Sequence, residues 1–450
     1  MSVLPPKPPV REDRVSLLKY LRLFRRDILS AQPARLYRAW MTEFRTPFFS
    51  SYLVNQPELV DLVLKGRPMD FPKSARVSEG LKPLLGKSVF LTNGETWLRQ
   101  RRIIDPAFEG GRLRESFSAM SAAADAAVER MPEGKGIEIE EIASHVAADV
   151  IFRTLFSIPI EDDLARSVFY AFRDFQRSQP ILNLAAFVPM PRWAPSFLPR
   201  QAKRKARLIR SLITRLVENR QSEIDAGVAP DDLATKIMTT RDPQTGALFS
   251  KDEMVDQVAI FFLAGHETSA SALGWSLYLL AEYPEWQSQL RDEALAADLH
   301  DFASISAQRI SKNVFREALR LYPPVPMMVR EAACPEEFRG RDVKKGVQIV
   351  ISPWHLHRHT RLWDNPDGFD PGRWTTENGQ KCQREAFIPF SAGKRVCSGA
   401  GFAMIEGTLL LSSLVKSFCF TPSVGMRPQP VAYLTVRSRD GIWLNVKRRT

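Results

Sequence analysis

The chain has 450 residues, of which 44% are hydrophobic and 25% charged, a balance typical of globular proteins that excludes collagen-like and low-complexity classes. Its net charge of +12 suits an acidic protein partner or a membrane surface, but no zinc-finger, homeodomain or RNA-binding motif accompanies it, so we expect no nucleic-acid partner. The four cysteines form no Cys-x-x-Cys pair, which excludes a zinc ribbon and a disulfide scaffold and indicates a reducing compartment, the cytoplasm.

The first 45 residues predict a lead-in and an amphipathic helix. Residues 5–9 are rich in proline and predict a flexible segment. Residues 15–29 mix leucines and Phe24 with lysine and arginines, which predicts a basic amphipathic helix that either touches a membrane or packs on the body. The start lacks the features of a signal peptide, and no stretch reaches the roughly 18 apolar residues of a membrane span. We therefore assign residues 1–45 to the lead-in and helix and residues 46–450 to one large domain without a transmembrane span.

The remaining elements predict a mainly α protein with small β-sheets, in the α+β class. Residues 48–54 read as a strand, and the sequence Asn-Gln-Pro-Glu at 55–58 predicts a capped helix start with proline at its first position. Helical spacing dominates residues 95–321, most clearly at 120–131, 204–224 and 252–283. The last third is mixed, with strands expected at 347–352 and 442–446 and a helix at 401–418.

The strongest motif surrounds one cysteine and has the pattern F-x-x-G-x-R-x-C-x-G. Its fixed residues are Phe390, Gly393, Arg395, Cys397 and Gly399. Cys397 lies just before the apolar helix at 401–418, and the positive end of a helix stabilises a thiolate, the form that binds metals. The two glycines would let the backbone approach a cofactor where a Cβ atom would clash. The alternative is a buried structural cysteine in a turn.

A second motif, Ala-Gly-His-Glu-Thr-Ser at 264–269, places glycine and polar residues inside a long apolar helix. These residues cost helix stability, which makes sense where the helix passes a reaction centre. His266 and Glu267 begin like the zinc-protease motif H-E-x-x-H, but the fifth position is Ala270, so that interpretation fails. The alternative for the whole motif is a kinked structural helix.

Two further pairs have helical spacing. Glu317 and Arg320 lie on one face of a helix that the prolines of residues 323–326 terminate. Trp97 and Arg101 also point one way from a helix. Each pair alone is weak, because soluble helices commonly carry such pairs and a basic surface helix would look the same.

Together, these motifs resemble the cytochrome P-450 family over roughly residues 47–449. The resemblance implies a single-domain fold with haem b between the long central helix and the cysteine-loop helix. Cys397 would be the axial ligand of the iron, and Phe390 would shield the thiolate from water. The resemblance assigns four side chains to the haem propionates: Trp97, Arg101, Arg330 and Arg395.

The resemblance also assigns the chemistry of the central helix. The family's oxygen-binding motif, A-G-x-E-T, corresponds to Ala264, Gly265, Glu267 and Thr268. By resemblance, Gly265 opens room beside the iron, Thr268 hydrogen-bonds dioxygen and Glu267 relays protons from solvent.

A structural triad is implied as well. Glu317 and Arg320 would pair with Arg373 and hold the cysteine loop in place. The family usually has Glu and Phe where this chain has Gly372 and Trp374, which puts the local packing in doubt.

The substrate and partners follow from the same resemblance. The stretches 77–90, 259–264, 325–329 and 432–434 would line the pocket, and their apolar character implies a lipophilic substrate. Residues 184–199 would cover substrate entry, touching lipid or forming an ordinary surface connection. No dinucleotide motif is present, so electrons from NAD(P)H would arrive through a separate ferredoxin or flavodoxin and its reductase. We expect a monomer.

Three functions are compatible with these features. The leading hypothesis is a monooxygenase that inserts one atom of O2 into a C–H bond. The second is a peroxide-driven or rearranging haem-thiolate enzyme, although such relatives tend to lack the acid–alcohol pair Glu267–Thr268. The third is a non-catalytic haem sensor or electron carrier, for which an apolar pocket and a proton relay would have no purpose.

Overall fold

A computed structural model describes residues 4–45, 50–109, 111–177 and 200–450. Helices dominate these ranges and small β-sheets flank them, so the predicted mainly α class with small sheets is confirmed. The described α-helices are α1 (Leu17–Arg26), α2 (Pro57–Asp61), α3 (Ala75–Leu85), α4 (Gly94–Ile104), α5 (Arg112–Glu115), α6 (Phe117–Arg130), α7 (Ile139–Phe156), α8 (Asp163–Arg177), α9 (Arg200–Asp225), α10 (Leu233–Thr239), α11 (Lys251–Glu282), α12 (Pro284–Leu295), α13 (Phe302–Ala307), α14 (Ile310–Leu321), α15 (Pro353–Leu356), α16 (Glu377–Glu385) and α17 (Ala400–Ser417).

The strands form four small sheets. They are β1 (Met41–Arg45), β2 (Ser50–Val54), β3 (Gly134–Glu138), β4 (Met328–Glu331), β5 (Glu336–Phe338), β6 (Arg341–Val343), β7 (Gln348–Ile351), β8 (Phe418–Pro422), β9 (Pro430–Ala432), β10 (Val436–Ser438) and β11 (Trp443–Arg448). The largest sheet has the order β1-β2-β7-β4, and the others are β3-β11-β8, β9-β10 and β5-β6. Strands β2 and β7 run parallel, whereas the remaining pairs are antiparallel.

Helix α11 is the centre of the fold. It begins with a capping box in which Ser250 and Glu253 exchange hydrogen bonds, and it continues unbroken for 32 residues. It is apolar on nearly all sides because α7, α9, α14 and α17 surround it. The ring of Trp275 stacks on that of Tyr322, the residue that follows α14, with centroids 3.9 Å apart. The helical assignment of α11 continues without a break through residues 264–269.

The proline-rich lead-in is not a flexible segment, so that prediction is wrong. Pro5, Pro6 and Pro8 are buried against the body. Lys7 forms an ion pair of 2.8 Å with Asp367, and the hydroxyl of Tyr322 donates a hydrogen bond of 3.0 Å to the carbonyl of Pro6. These contacts hold the lead-in in place although its sequence resembles a linker.

Helix α1 packs on the body through one face. Phe24 belongs to the core, while Leu18 on the opposite side is 81% exposed. The buried carboxylate of Asp27, just after α1, accepts from the backbone N–H groups of Leu29 and Ala432, which ties the helix end to β9. One face of α1 therefore packs on the body, and contact of the other face with a membrane stays a prediction.

Other sequence predictions are close to the observed elements. Strand β2 begins at Ser50, and residues 48 and 49 of the predicted strand lie outside the described residues, as do residues 184–199. Pro57 begins α2 as predicted, but the Asn55 side chain caps nothing and instead donates to the carbonyls of Leu36 and Ala39. Within the described ranges, no helix is both long and apolar enough to cross a membrane.

Candidate active site

A cavity of about 870 Å³ lies between α11, α4 and the loop before α17. Both strong motifs of the sequence open into it, since Cys397 lines the cavity together with Ala264, Gly265 and Thr268. Ala264 and Cys397 have exposed surface for the same reason: each faces the cavity. The structure thus brings together residues that are more than 100 positions apart in the chain.

The loop before α17 is a tight turn that presents the sulfur of Cys397. The N–H of Cys397 donates to the carbonyl of Phe390 at 2.9 Å, and Phe390 also lines the cavity. Residues 393–395 form a 3-10 turn that opens on Gly393, whose φ of +66° lies in the left-handed region. The nearest atom to a Cβ added at Gly399 would be the Cys397 sulfur itself, at 4.0 Å.

The role expected for Gly393 needs correction. A Cβ atom at this position would lie 2.2 Å from the carbonyl oxygen of Leu64, in the helical turn Leu62–Gly66. What requires glycine here is therefore close packing of two backbones and a left-handed conformation, not approach to a cofactor.

The thiol of Cys397 does not owe a low pKa to the helix end. Burial raises its pKa above the ordinary value, and the N–H of Gly399 and the charge of Arg101 oppose this effect without overcoming it. The N–H of Gly399 at the helix end therefore favours the thiolate, as expected, but it does not by itself bring the pKa of Cys397 below the ordinary value. A bound metal cation would supply what is missing, because a coordinating thiol is deprotonated outright.

Three cations, Lys73, Arg330 and Arg395, lie together at the edge of the cavity that Trp97 lines. Trp97 is buried, with the Lys73 ammonium 5.7 Å and the Arg395 guanidinium carbon 5.2 Å from its ring centroid. Arg330 joins them because its backbone forms an isolated β-bridge with Lys73. None of the three cations forms an ion pair with a described carboxylate, and the buried Nε of Arg395 finds no hydrogen-bond partner among the described residues.

Lys73, Arg330 and Arg395 repel one another electrostatically. Burial and neighbouring Arg395 lower the pKa of Arg330 to about 10. Burial also lowers the pKa of Lys73 well below its ordinary value, with Arg395, Arg330 and Arg101 adding to the effect. Such a cluster is costly unless an anion joins it, and two carboxylates of a bound cofactor would satisfy it.

Arg101 is placed differently from the other members of the predicted propionate set. Its Nε donates to Asp105 at 2.8 Å and one terminal nitrogen donates to the carbonyl of Val396 at 2.8 Å. Asp105 in turn accepts from the hydroxyl of Ser398 at 2.9 Å. Arg101 therefore fastens both sides of Cys397 to α4 with two of its five N–H donors, and three donors remain for another acceptor.

The polar motif of α11 divides between the cavity and the protein interior. Thr268 lines the cavity, and its hydroxyl donates back to the carbonyl of Ala264. A Cβ at Gly265 would lie 2.3 Å from the Cδ1 of Ile151, so any larger residue here would have to displace the end of that side chain of α7. His266 points away, is buried and shares a hydrogen bond of 2.6 Å with the hydroxyl of Ser144. Burial lowers its pKa to about 3, so it is a neutral packing residue.

Glu267 does not reach the cavity. Its carboxylate accepts from Thr435 at 2.6 Å, from Arg437 at 2.8 Å and from Gln176 at 3.0 Å. Only 4% of the residue is exposed, and it is not among the described residues that line the cavity. Glu267 therefore lies outside the described cavity lining, where an ion pair with Arg437 of β10 holds it, and its role as a relay of protons from solvent stays a prediction.

The predicted structural triad assembles around Glu317. Both oxygens of this buried carboxylate accept from Arg320, at 2.8 and 2.9 Å, and Oε1 also accepts from Arg373 at 2.9 Å. Burial alone would raise the pKa of Glu317, but the two arginines outweigh it and the net shift is downward. Gly372 and Trp374 replace the Glu and Phe that the family usually has at these positions, yet the structure brings Glu317, Arg320 and Arg373 together.

A histidine connects the triad to the cysteine loop. Arg320 donates to the backbone carbonyl of His357 at 2.9 Å, and the His357 Nε2 accepts from the N–H of Ile388 at 2.9 Å, two residues before Phe390. Burial lowers the pKa of His357 to about 3, which keeps the ring neutral and able to accept. The triad therefore acts on the loop through a side chain that no sequence motif had indicated.

The far side of the cavity is apolar. All four stretches predicted to line a pocket contribute to it, and their lining residues include Val77, Val89, Phe90, Ile260, Val325, Val329 and Leu434. Three site residues were missed from the sequence: Lys73, His357 and Glu406. Glu406 alone had a visible signal, because it is an acid in the middle of the apolar helix at 401–418. Lys73 and His357 stand in no recognisable pattern.

Comparisons with known proteins agree with this geometry. The profile of the family described as Cytochrome P450 matches residues 39–441. Similar proteins include cyclooctatin synthase of Streptomyces melanosporofaciens, 32% identical over 85% of this chain and 84% of that protein. They also include cyclooctat-9-en-7-ol 5-monooxygenase of the same organism, 31% identical over 86% and 83%, and cytokinin hydroxylase of Arabidopsis thaliana, 30% identical over 86% and 76%.

Solved structures share the fold. The crystal structure of the cytochrome P450DA heme domain superposes with a TM-score of 0.81 at 23% identity, over 100% of this chain and 99% of that chain. This agreement extends the similarity to the arrangement of helices and sheets around the cavity.

Proposed function

This chain belongs to the cytochrome P450 family and is a monooxygenase, and from that premise we propose that it inserts one atom of O2 into a lipophilic small molecule. The observation that carries the proposal is the position of Cys397, whose sulfur faces one cavity with Thr268 and with three cations that lack a partner acid among the described residues. The names of its relatives, a synthase, a monooxygenase and a hydroxylase, favour an enzyme over a haem sensor or electron carrier.

Haem b fits the residues present. Membership of the family implies a haem cofactor and the use of dioxygen. Cys397 would hold the iron and Phe390 would keep water from the sulfur. Trp97, Arg101, Arg330 and Arg395 would receive the propionates, with the Lys73 ammonium beside them, and Arg101 would hold the cysteine loop as well. A thiolate-bound haem supplies the chemistry that cleaves the O–O bond, as is known for enzymes of this class.

The protein's own contribution is to position substrate and protons. Insertion of one oxygen atom consumes two electrons and two protons and releases the other atom as water. The hydroxyl of Thr268 can turn from the Ala264 carbonyl to donate into the cavity, whose apolar walls exclude competing water. Glu267 could take part only after its bonds to Arg437 and Thr435 break.

Electrons would come from NAD(P)H through a separate acidic ferredoxin or flavodoxin and its reductase. Lys394 of the cysteine loop is exposed, and so is Lys65, whose Cα lies close to Gly393 of that loop. A basic surface at this place would steer an acidic partner towards the site. We also propose that the protein works as a cytoplasmic monomer. Lys7 and Pro6 contact the body, so we propose that the described residues 4–45 form one structural unit with the domain that follows.

The substrate is proposed to be apolar and compact enough for the cavity. Two of the similar proteins are named for cyclooctatin biosynthesis or cyclooctat-9-en-7-ol and one for cytokinin. The apolar lining at Val77, Phe90, Ile260, Val329 and Leu434 supports a substrate of lipophilic character.

The first test is the absorbance spectrum of the purified protein, reduced and exposed to carbon monoxide. A strongly red-shifted Soret band is expected for the wild type and its loss for Cys397→Ala. A band at the usual histidine-haem position in the wild type would refute the assignment of Cys397.

A second test separates monooxygenation from the peroxide-driven alternative, which the position of Glu267 outside the cavity keeps open. Thr268→Ala should raise peroxide release at the expense of product when electrons and O2 are supplied. If product forms equally well with hydrogen peroxide alone and is unchanged in Thr268→Ala, the peroxide-driven reaction is the correct one.

A further inference from the structure

The turn between β9 and β10 forms part of the cavity wall. It comprises residues 433–435, and Tyr433 and Leu434 line the cavity. On either side of the turn, Ala432 of β9 and Val436 of β10 are partners in a sheet of only two strands. An isolated two-stranded hairpin is marginally stable, so contacts outside this sheet must fix where the turn lies.

The β10 side of the turn is held by the central helix and by the chain before β4. The hydroxyl of Ser271 in α11 donates to the carbonyl of Val436 at 2.5 Å. The N–H of Val436 donates to the carbonyl of Pro324 at 2.9 Å, and Pro324 itself lines the cavity. This side of the turn is therefore fixed by elements that also form other walls of the cavity.

The β9 side is held by a carboxylate from the N-terminal part of the chain. Asp27 is fully buried, and its Oδ1 accepts from the N–H of Ala432, 405 positions later, at 2.8 Å. The N–H of Ile28 donates in return to the Ala432 carbonyl at 3.1 Å. The same carboxylate accepts from the N–H of Leu29 at 3.1 Å and from the N–H of Ser30 at 2.9 Å, and the Ser30 hydroxyl also binds it. Asp27 therefore fixes β9 to a rigid turn of the chain that follows α1.

This bond lies close to the cavity wall. Leu434 follows Ala432 by two residues, which span at most about 7 Å of extended chain. If the N–H of Ala432 loses its acceptor, the β9 side of the turn can shift, and Leu434 shifts with it. Phe24 and Ile28, which lie on either side of Asp27 in sequence, line the cavity too. One buried carboxylate thus sets the position of two adjoining parts of the wall relative to each other.

We propose that Asp27 is a positioning residue for apolar ligands that extend as far as the β9–β10 turn. Asp27 is not among the described residues that line the cavity, so it acts through Ala432 on Leu434. The proposal rests on the monooxygenase function proposed above, because it takes the cavity as the substrate site. It makes the segment around α1 part of what selects the substrate, in addition to its packing on the body.

The first experiment compares two ligands of the ferric holoenzyme that share one iron-binding ring. Imidazole is small, whereas 1-dodecylimidazole carries an apolar tail that reaches the walls of the cavity, and both are titrated by absorbance. In Asp27→Ala, the Kd of 1-dodecylimidazole should rise by about tenfold, the size expected when one apolar side chain no longer packs on the ligand, while the Kd of imidazole stays within about twofold. A rise of both Kd values by the same factor, or of neither, overturns the proposal.

Ser30→Ala is the matched control. Its hydroxyl binds the same carboxylate as Ala432 does, but its loss leaves the bond between Asp27 and Ala432 in place. Both Kd values should therefore equal those of the wild type. If Ser30→Ala weakens 1-dodecylimidazole as much as Asp27→Ala does, general loosening after α1 is the cause, and the proposal is wrong.

Asp27→Asn separates the position of the turn from the stability of the fold. The amide oxygen should face Leu29 and Ala432, since their N–H groups can only donate, while the Ser30 hydroxyl can turn to accept from the new NH2 group. The N–H of Ser30 loses its acceptor, so the melting temperature should fall while the Kd of 1-dodecylimidazole stays near that of the wild type. A Kd that follows the melting temperature across the three variants would indicate a purely structural role and overturn the proposal.

Hydrogen exchange of the wild-type holoenzyme keeps the proposal testable if Asp27→Ala does not fold. Binding of 1-dodecylimidazole should slow exchange in residues 431–435 and also in residues 28–30, whose N–H groups bind Asp27 and Ala432, whereas imidazole should slow neither. Slower exchange in residues 431–435 alone would show that the turn is not coupled to Asp27. Unchanged exchange in residues 431–435 would show that the ligand does not reach the turn, and either result contradicts the proposal.

The carbon monoxide spectrum distinguishes failure of this proposal from failure of the proposed function. If Asp27→Ala has the red-shifted Soret band and binds both imidazoles like the wild type, Asp27 is not a positioning residue although the haem-thiolate function stands. Absence of that band from the wild type would instead refute the function itself.

Discussion

Replacement of Glu317 by alanine should destabilise the protein by about 3–5 kcal/mol, because removal of one partner from a buried ion pair leaves uncompensated charge. The side chains of Glu317 and Arg320 are fully buried and that of Arg373 is 5% exposed, so water cannot take the place of the carboxylate. The arginines keep their backbone acceptors, among them the carbonyls of Pro366 and Gly368, which prevents a larger loss. With total stabilities of about 5–15 kcal/mol for natural proteins, most of the margin would disappear.

The effect should depend on pH in a defined direction. The pKa of Glu317 is lower in the folded protein than in the unfolded chain. The carboxylate therefore contributes its full stability above the ordinary glutamate pKa, and this contribution is lost as the pH falls through the lowered pKa of the folded state. The difference between wild type and Glu317→Ala should thus be full at pH 7 and shrink in acid.

Guanidinium chloride unfolding at pH 7, followed together with haem content, measures this prediction. Asp163→Ala is the matched control, since Asp163 and Arg166 have the same i, i+3 spacing on α8 but are exposed. An exposed pair of this kind is worth about 0–1 kcal/mol. If Glu317→Ala binds haem and unfolds like Asp163→Ala, the triad does not support the cysteine loop and the reasoning is wrong.

Three further substitutions test other parts of the site. Lys73→Met should speed the transfer of haem to apomyoglobin by about tenfold, because a charge-assisted hydrogen bond is worth about 1.5–3 kcal/mol. The control variant Lys65→Met, at an exposed lysine, should not change the rate. Equal rates in the two variants would exclude Lys73 from the cofactor site. His357→Leu leaves the buried N–H of Ile388 without its acceptor, which costs about 1–3 kcal/mol. The red-shifted band of the carbon monoxide complex should therefore be lost faster on heating. An unchanged rate of loss would contradict the link between the triad and the cysteine loop. Lys7→Glu should lower the free energy of unfolding by about 0.5–1 kcal/mol, because it breaks the ion pair with Asp367. The double variant Lys7→Glu/Asp367→Lys should restore the lost stability. If it does not, the ion pair does not hold the lead-in in place.

The sequence by itself determined the features that depend on local spacing. The pattern around Cys397 indicated the loop before α17, and the i, i+3 pair Glu317 and Arg320 indicated one helix face. The apolar run of α11 and its motif predicted the central helix. In each case the backbone geometry of one helix or turn sets the distances, so a few residues carry the information.

Tertiary structure alone decided which neighbours these residues meet. Glu267 turns away from the cavity because its partner Arg437 lies 170 residues later, and Gly393 is required by the carbonyl of Leu64, which no local pattern announces. Lys73 joins the cation cluster only through its β-bridge to Arg330. The lead-in is ordered because distant side chains, Tyr322 and Asp367, bind it. Burial and charge depend on everything that packs around a group, and that environment comes from residues far apart in the chain.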